Sequence, residues 1–162
     1  MIGLPRLALS VRQPWPWAIL YAGKDIENRS WQAVNHGLNQ RGRIALHASK
    51  GMTKDEYEDA AEFMAKIGVV VPPPHELPRG CIIGSVEVVD VVTKSESQWF
   101  FGPRGIVLRD PVPCRPIPCV GALGYFEWKA AGDEVVPPPA RWMLPTTPAP
   151  KQRESDQINM KW

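Results

Sequence analysis

The sequence predicts a small mixed β-barrel of the α+β class with two or more flanking helices. Three observations lead there. The strand-like segments are short and bounded by proline- or glycine-bearing stretches. Two segments have helical character, without the strand–helix–strand repetition that builds a doubly wound sheet. The 18 prolines in 162 residues argue against a mainly helical protein. A hydrophobic content of 44% suffices for one core, so the chain divides into a domain over residues 1–129 and a tail over 130–162.

Arg6 to Val11 reads as the first strand, with Leu7, Leu9 and Val11 on one face. Pro14 and Pro16 suit the first turn of a helix that runs to Ala22, and Gly23 can end it in the left-handed conformation. One of Trp15 and Trp17 is expected in the core and the other at a cleft rim. Arg12 and Gln13, at the strand end, are candidate polar cleft residues. From Asp25 to Trp31 the chain reads as extended, so Glu27, Arg29 and Trp31 share a face. Lys24 sits at the turn, where that parity does not bind it, and can swing to the same side. Gln32 to Arg41 is a polar loop. Arg43 to Ser49 is the next strand, with Ile44, Leu46 and Ala48 facing one way and Arg43, Ala45, His47 and Ser49 the other. His47 is open to three roles: general base, base-stacking residue or structural hydrogen-bonder, the last being the commonest for a lone histidine. Lys50, at the strand end, reads as a phosphate contact or a solvated lysine.

Thr53 and Glu56 form a capping-box pattern that opens a helix to Ile67, with an apolar stripe of Tyr57, Ala60, Ala61, Met64 and Ile67. Val69 to Gly80, with three consecutive prolines, is a loop. Cys81 to Val92 is a long strand with Gly84 as a bulge position. Val86, Val88 and Val92 fall on one face with Asp90; Ile83, Glu87, Val89 and Val91 fall on the other. Both faces are apolar, so the strand should be central and Glu87 desolvated, which makes it the candidate perturbed acid, with a buried ion pair to an arginine as the alternative. Thr93 to Pro103 is a loop whose Trp99-Phe100-Phe101 run cannot be buried by one face, leaving one ring to cover a cleft. Gly105 to Arg109 reads as a short strand, Asp110 to Pro118 as a proline-rich turn and Val120 to Trp128 as the last strand. Residues 130–162 read as a mostly irregular tail that Trp142 and Trp162 could dock on the domain or on a protein partner.

A net charge of +2 does not by itself announce a nucleic-acid binder. Cys81, Cys114 and Cys119 lack disulfide or zinc-knuckle spacing and read as small apolar residues, so no metal and no cofactor is expected. They suit a reducing, cytoplasmic compartment, and no apolar run suggests a signal peptide or membrane span.

Several segments, in order, resemble the ASCH domain of the PUA-like superfamily. They are Ala8 to Trp15, the Gly-Lys-x-x-Glu-x-Arg motif from Gly23 to Arg29 with Trp31, Gly42 to Lys50, Gly84 to Asp90, and Gly121 to Gly124. The resemblance implies a pseudobarrel of five or six strands whose cleft is lined by the central motif. It also implies binding of RNA or of a (modified) nucleoside or nucleotide. Arg12, Lys24, Glu27, Arg29, Trp31, Arg43, His47 and Lys50 are the candidate binding residues. The cationic side chains would meet phosphate, and Trp31 or Trp15 would stack on a base. Some ASCH proteins are amidohydrolases acting on 4-acetylcytidine through a Gly-Lys-x-x-Thr-x-Arg motif and a later glutamate, and others are reported as ribonucleases. By that resemblance Lys24, Glu27 and Glu87 would be catalytic. Glu27 occupies the position of the threonine, and as a carboxylate it could only activate water while Lys24 stabilises an oxyanion. Glu87 is accordingly expected beside Lys24 or Arg29.

Overall fold

The computed structural model describes residues 3–30 and 37–146. Trp31, His36 and Trp162 lie outside the described residues. Six strands form one mixed sheet: β1 (Leu7–Val11), β2 (Ile26–Arg29), β3 (Gly42–Ala48), β4 (Cys81–Val92), β5 (Arg104–Pro118) and β6 (Tyr125–Glu127). Their order is β2-β5-β4-β3-β1-β6, with β1 and β3 parallel and every other neighbouring pair antiparallel. The sheet curls into a half-barrel, so that Arg29 at the β2 edge donates to the carbonyl of Ser10 near the opposite edge. Helices α1 (Trp15–Tyr21) and α2 (Lys54–Lys66) flank it, as the sequence predicts.

The inner face carries the main core: Leu9 and Val11 from β1, Ile44 and Leu46 from β3, Val86 and Val88 from β4, and Ile106 and Leu108 from β5. Thr53 caps α2 with the reciprocal bonds of a capping box. Ala60 and Met64 pack its stripe against Trp99 and Ile26 in a second cluster. A third patch joins Met143 to Met52 and Leu77, with Trp142 packed against Tyr57.

Four expectations need correction. First, β5 does not stop at Arg109 but runs on to Pro118. Beyond Val107 its outer side has no partner strand among the described residues, so the absent N–H groups of Pro111 and Pro113 interrupt no second ladder there. Second, β6 is only Tyr125–Glu127, and residues 120–123 form an exposed loop. Third, Ile83 joins Val86 and Val88 inside, because the β4–β5 register shifts between Ile82 and Gly84. Fourth, Glu87 is not desolvated: it pairs across the ladder with Arg43 on the outer face and its side chain is 32% exposed.

Candidate functional site

The short β6 is what opens the site. β6 pairs with β1 only from Leu7 to Leu9, which leaves Ser10 and Val11 facing the seam of the half-barrel. Across that seam lies β2. Between them is a cleft of about 420 Å³ lined by Ser10 to Gln13, Trp15, Lys24, Glu27 to Ser30, Glu56 and Phe101.

The floor is charged. Gly23, at positive φ, turns the chain out of α1, and Lys24 folds inward, donating to the carbonyl of Ile26. Its ammonium lies 3.6 Å from Glu27, and the guanidinium of Arg29 lies 3.4 Å from the same carboxylate. Lys24 and Glu27 are only 3% and 7% exposed. Burial lowers the pKa of Lys24, and the adjacent Glu27 carboxylate opposes that shift. The ammonium also sits 5.1 Å from the ring centre of Trp15 and 5.8 Å from that of Trp99, within cation–π range. Tyr125 packs nearby; burial pushes its hydroxyl up to about 12, with Arg29 opposing.

The walls are aromatic. Phe101 is 57% exposed and stands edge-on to Phe63, at 5.0 Å between centroids. Trp15 touches the same Phe63 at 6.3 Å. Phe101 stands there because of Asn28, whose amide donates to the Trp99 carbonyl at 2.9 Å and accepts from the N–H groups of Phe101 and Gly102 at 2.7 and 3.1 Å. One strand therefore builds both floor and wall, Glu27 and Arg29 turning inward and Asn28 towards the loop. Of the two tryptophans left open by the sequence, Trp15 lines the cleft and Trp17 packs away from it. At the rim, Arg12 clasps Glu56 with two hydrogen bonds of 3.0 and 2.7 Å, which hold that carboxyl below its usual pKa. Gln13 supports the helix from below, bonding Pro78 O and Trp17 N.

The structure thus gathers Arg12, Lys24, Glu27 and Arg29 in one cleft and places the other candidates among the described residues elsewhere; Trp31 lies outside the described residues. Arg43 lies on the outer face, bonded to Ser85 and to the carbonyl of Asp110, with Glu87 at 3.8 Å. Glu87 belongs to that outer pair and does not join Lys24 or Arg29. His47 and Lys50 line a second pocket at the far side of Ser10. There His47 is fully buried and hydrogen-bonded to Ser10 Oγ at 3.0 Å and to the Cys119 carbonyl at 3.1 Å, the structural role weighed from sequence. Asn28 and Glu56 were missed as cleft residues. Both bond partners over 40 positions away in sequence, and only the positions between Glu27 and Arg29 hinted at the first. The cysteines are free thiols, and burial raises all three, Cys81 to about 11. Among the described residues no group of three or more His, Cys, Asp or Glu is placed to hold a metal, and no helix is long and apolar enough to cross a membrane.

A curled mixed sheet with a charged cleft at its seam, entered through the Gly23 to Arg29 motif, defines a PUA-like domain. The ASCH domain family model matches residues 9–136, and the chain belongs to that family. Among curated proteins, it is similar to Activating signal cointegrator 1 of Homo sapiens, 32% identical over 88 residues. It is also similar to the Mus musculus protein of the same name, 29% identical over 90 residues. These matches cover 54% and 56% of this chain but only 15% of each relative, so the likeness is to one segment of a much longer protein.

Proposed function

We propose that the domain binds single-stranded RNA by seating a nucleobase in the cleft against Trp15 and Phe101. One observation carries the reading: a largely exposed phenylalanine stands on a loop, held at Trp99, Phe101 and Gly102 by three hydrogen bonds with Asn28, above a buried floor of opposite charges. Exposing an aromatic ring costs solvation, and a fixed ring beside donors and an acceptor suits a stacked base. Lys24 and Arg29 supply N–H donors and Glu27 an acceptor for the base edge, while Arg12 at the rim faces phosphate. Family resemblance supports the same class. Trp31, two positions after Arg29 in the sequence, is a further stacking candidate.

A hydrolytic reading has one observation in its favour, the lowered pKa of Lys24 beside a carboxylate. It weighs less, because Glu27 is held as the counter-ion of two cations, and the third proposed catalytic group, Glu87, stands with Arg43. Titrating short single-stranded RNAs against intrinsic tryptophan fluorescence at increasing salt tests the proposal. Binding that weakens with salt, without acetate release from 4-acetylcytidine, is the expected result. Failure to bind any RNA or nucleotide would overturn it.

A further inference from the structure

The second pocket has no part in the function proposed above, yet it has the size and construction of a ligand site. It encloses about 520 Å³ and shares Ser10 with the cleft. Its floor is the imidazole of His47, which is fixed on both sides. With Nε2–H donating to the Cys119 carbonyl, Nδ1 accepts from the Ser10 hydroxyl, and Phe126 packs edge-on at 5.5 Å. Burial lowers the pKa of this histidine, so the ring is neutral at pH 7. Gly121 lies flat on the ring, where any Cβ would overlap it. The loop of residues 120–123 is thereby seated as a wall. Glu134 and Val135 close the opposite side, with the Val135 carbonyl packed closely over Gly80.

The lining is chemically divided. Leu123 is 97% exposed and Val120 66%, an apolar surface held open beside the pocket. Lys50 brings a cation and Glu134 a carboxylate, and the Ser49 hydroxyl is buried without a hydrogen-bond partner among the described residues. An apolar wall, a cation and hydroxyl-binding groups match the base, phosphate and ribose of a nucleotide.

We propose that this pocket is a second nucleotide subsite, so that the domain holds two consecutive nucleotides of one RNA strand across Ser10. The inference rests on the RNA-binding reading of the cleft and extends it. Calorimetry with 5′-phosphorylated mono- and diribonucleotides of the same base tests it. The dinucleotide should bind about tenfold tighter or more, the gain of a second nucleotide held on the apolar wall and Lys50. Leu123→Glu changes an exposed residue outside the cleft. It should remove that gain and leave mononucleotide affinity unchanged. Lys50→Ala, also outside the cleft, should reduce dinucleotide affinity. Equal affinity for the two lengths, or a gain that survives both substitutions, would overturn the second subsite while leaving the first intact. No binding of either length would overturn both.

Discussion

Two groups of opposite charges sit on the two faces of one sheet and are built from the same residue types. Lys24 and Glu27 face inward, nearly closed to water, with the half-buried Arg29 beside them. Arg43 and Glu87 face outward, each with roughly a third of its side chain exposed. The difference follows from register and cover. Glu27 pairs with Ile106, whose side chain is core, and Trp15 and Trp99 roof its partner Lys24. Glu87 pairs with Arg43 and Arg109, neither of which is core. The comparison teaches that a carboxylate's place in a strand says less about its solvation than the residues across the ladder do. Inside, opposite charges are committed to one another; outside, water shares them.

Substitutions sharpen this contrast. Glu27→Ala removes the carboxylate nearest the buried Lys24 ammonium, and should cost about 3–5 kcal/mol in urea unfolding. Phe101→Ala removes an exposed ring and should barely move that midpoint, yet weaken RNA binding by about 1–3 kcal/mol. A large stability loss in that variant would show that the ring is structural. Thr53→Ala provides a yardstick between the two ion groups, since loss of a well-formed cap costs about 1 kcal/mol. Glu87→Gln should fall below that yardstick, within about 1 kcal/mol of wild type, as partly exposed pairs do. If it matched Glu27→Ala, the contrast between the faces would collapse.

His47 gives the comparison a pH arm. Its folded pKa is lowered, so below the unfolded value of 6.5 the unfolded chain takes up a proton that the folded chain does not. Stability should therefore be unaffected by this residue above pH 6.5 and fall as the pH drops from there towards the folded pKa. Melting curves of wild type and His47→Gln between pH 7.5 and 5 check this: the substitution should flatten the acid-side loss.

Much of the frame was legible because it rests on local chemistry. The capping box of α2, the alternation of β3 and the bulge at Gly84 each follow from neighbouring residues. The inward swing of Lys24 was open in the sequence for a local reason too, since a residue at the turn is not bound by strand parity. Other features depended on distant partners. The strand run of Asp110 to Pro118 looked like a turn because proline content was read without knowing that its outer side lacks a partner. Residues 120–123 looked like strand, but no ladder continues there. Of the candidate site residues placed away from the cleft, Glu87 shows the reason best: its solvation depends on Arg43 and Arg109 across two ladders and not on the valines beside it.

The alternation within β2 has a consequence for chain length. Glu27 and Arg29 serve the cleft while Asn28, between them, holds the aromatic loop. Shifting this strand by one position would turn Glu27 and Arg29 off the cleft face, placing a carboxylate against the Trp99 carbonyl and leaving the buried Lys24 without Glu27 beside it. The segment from Gly23 to Arg29 should thus accept many single replacements more readily than one inserted residue. Its spacing is the quantity that the architecture demands: an added glycine after Asp25 would keep every side chain named here and still dismantle the cleft.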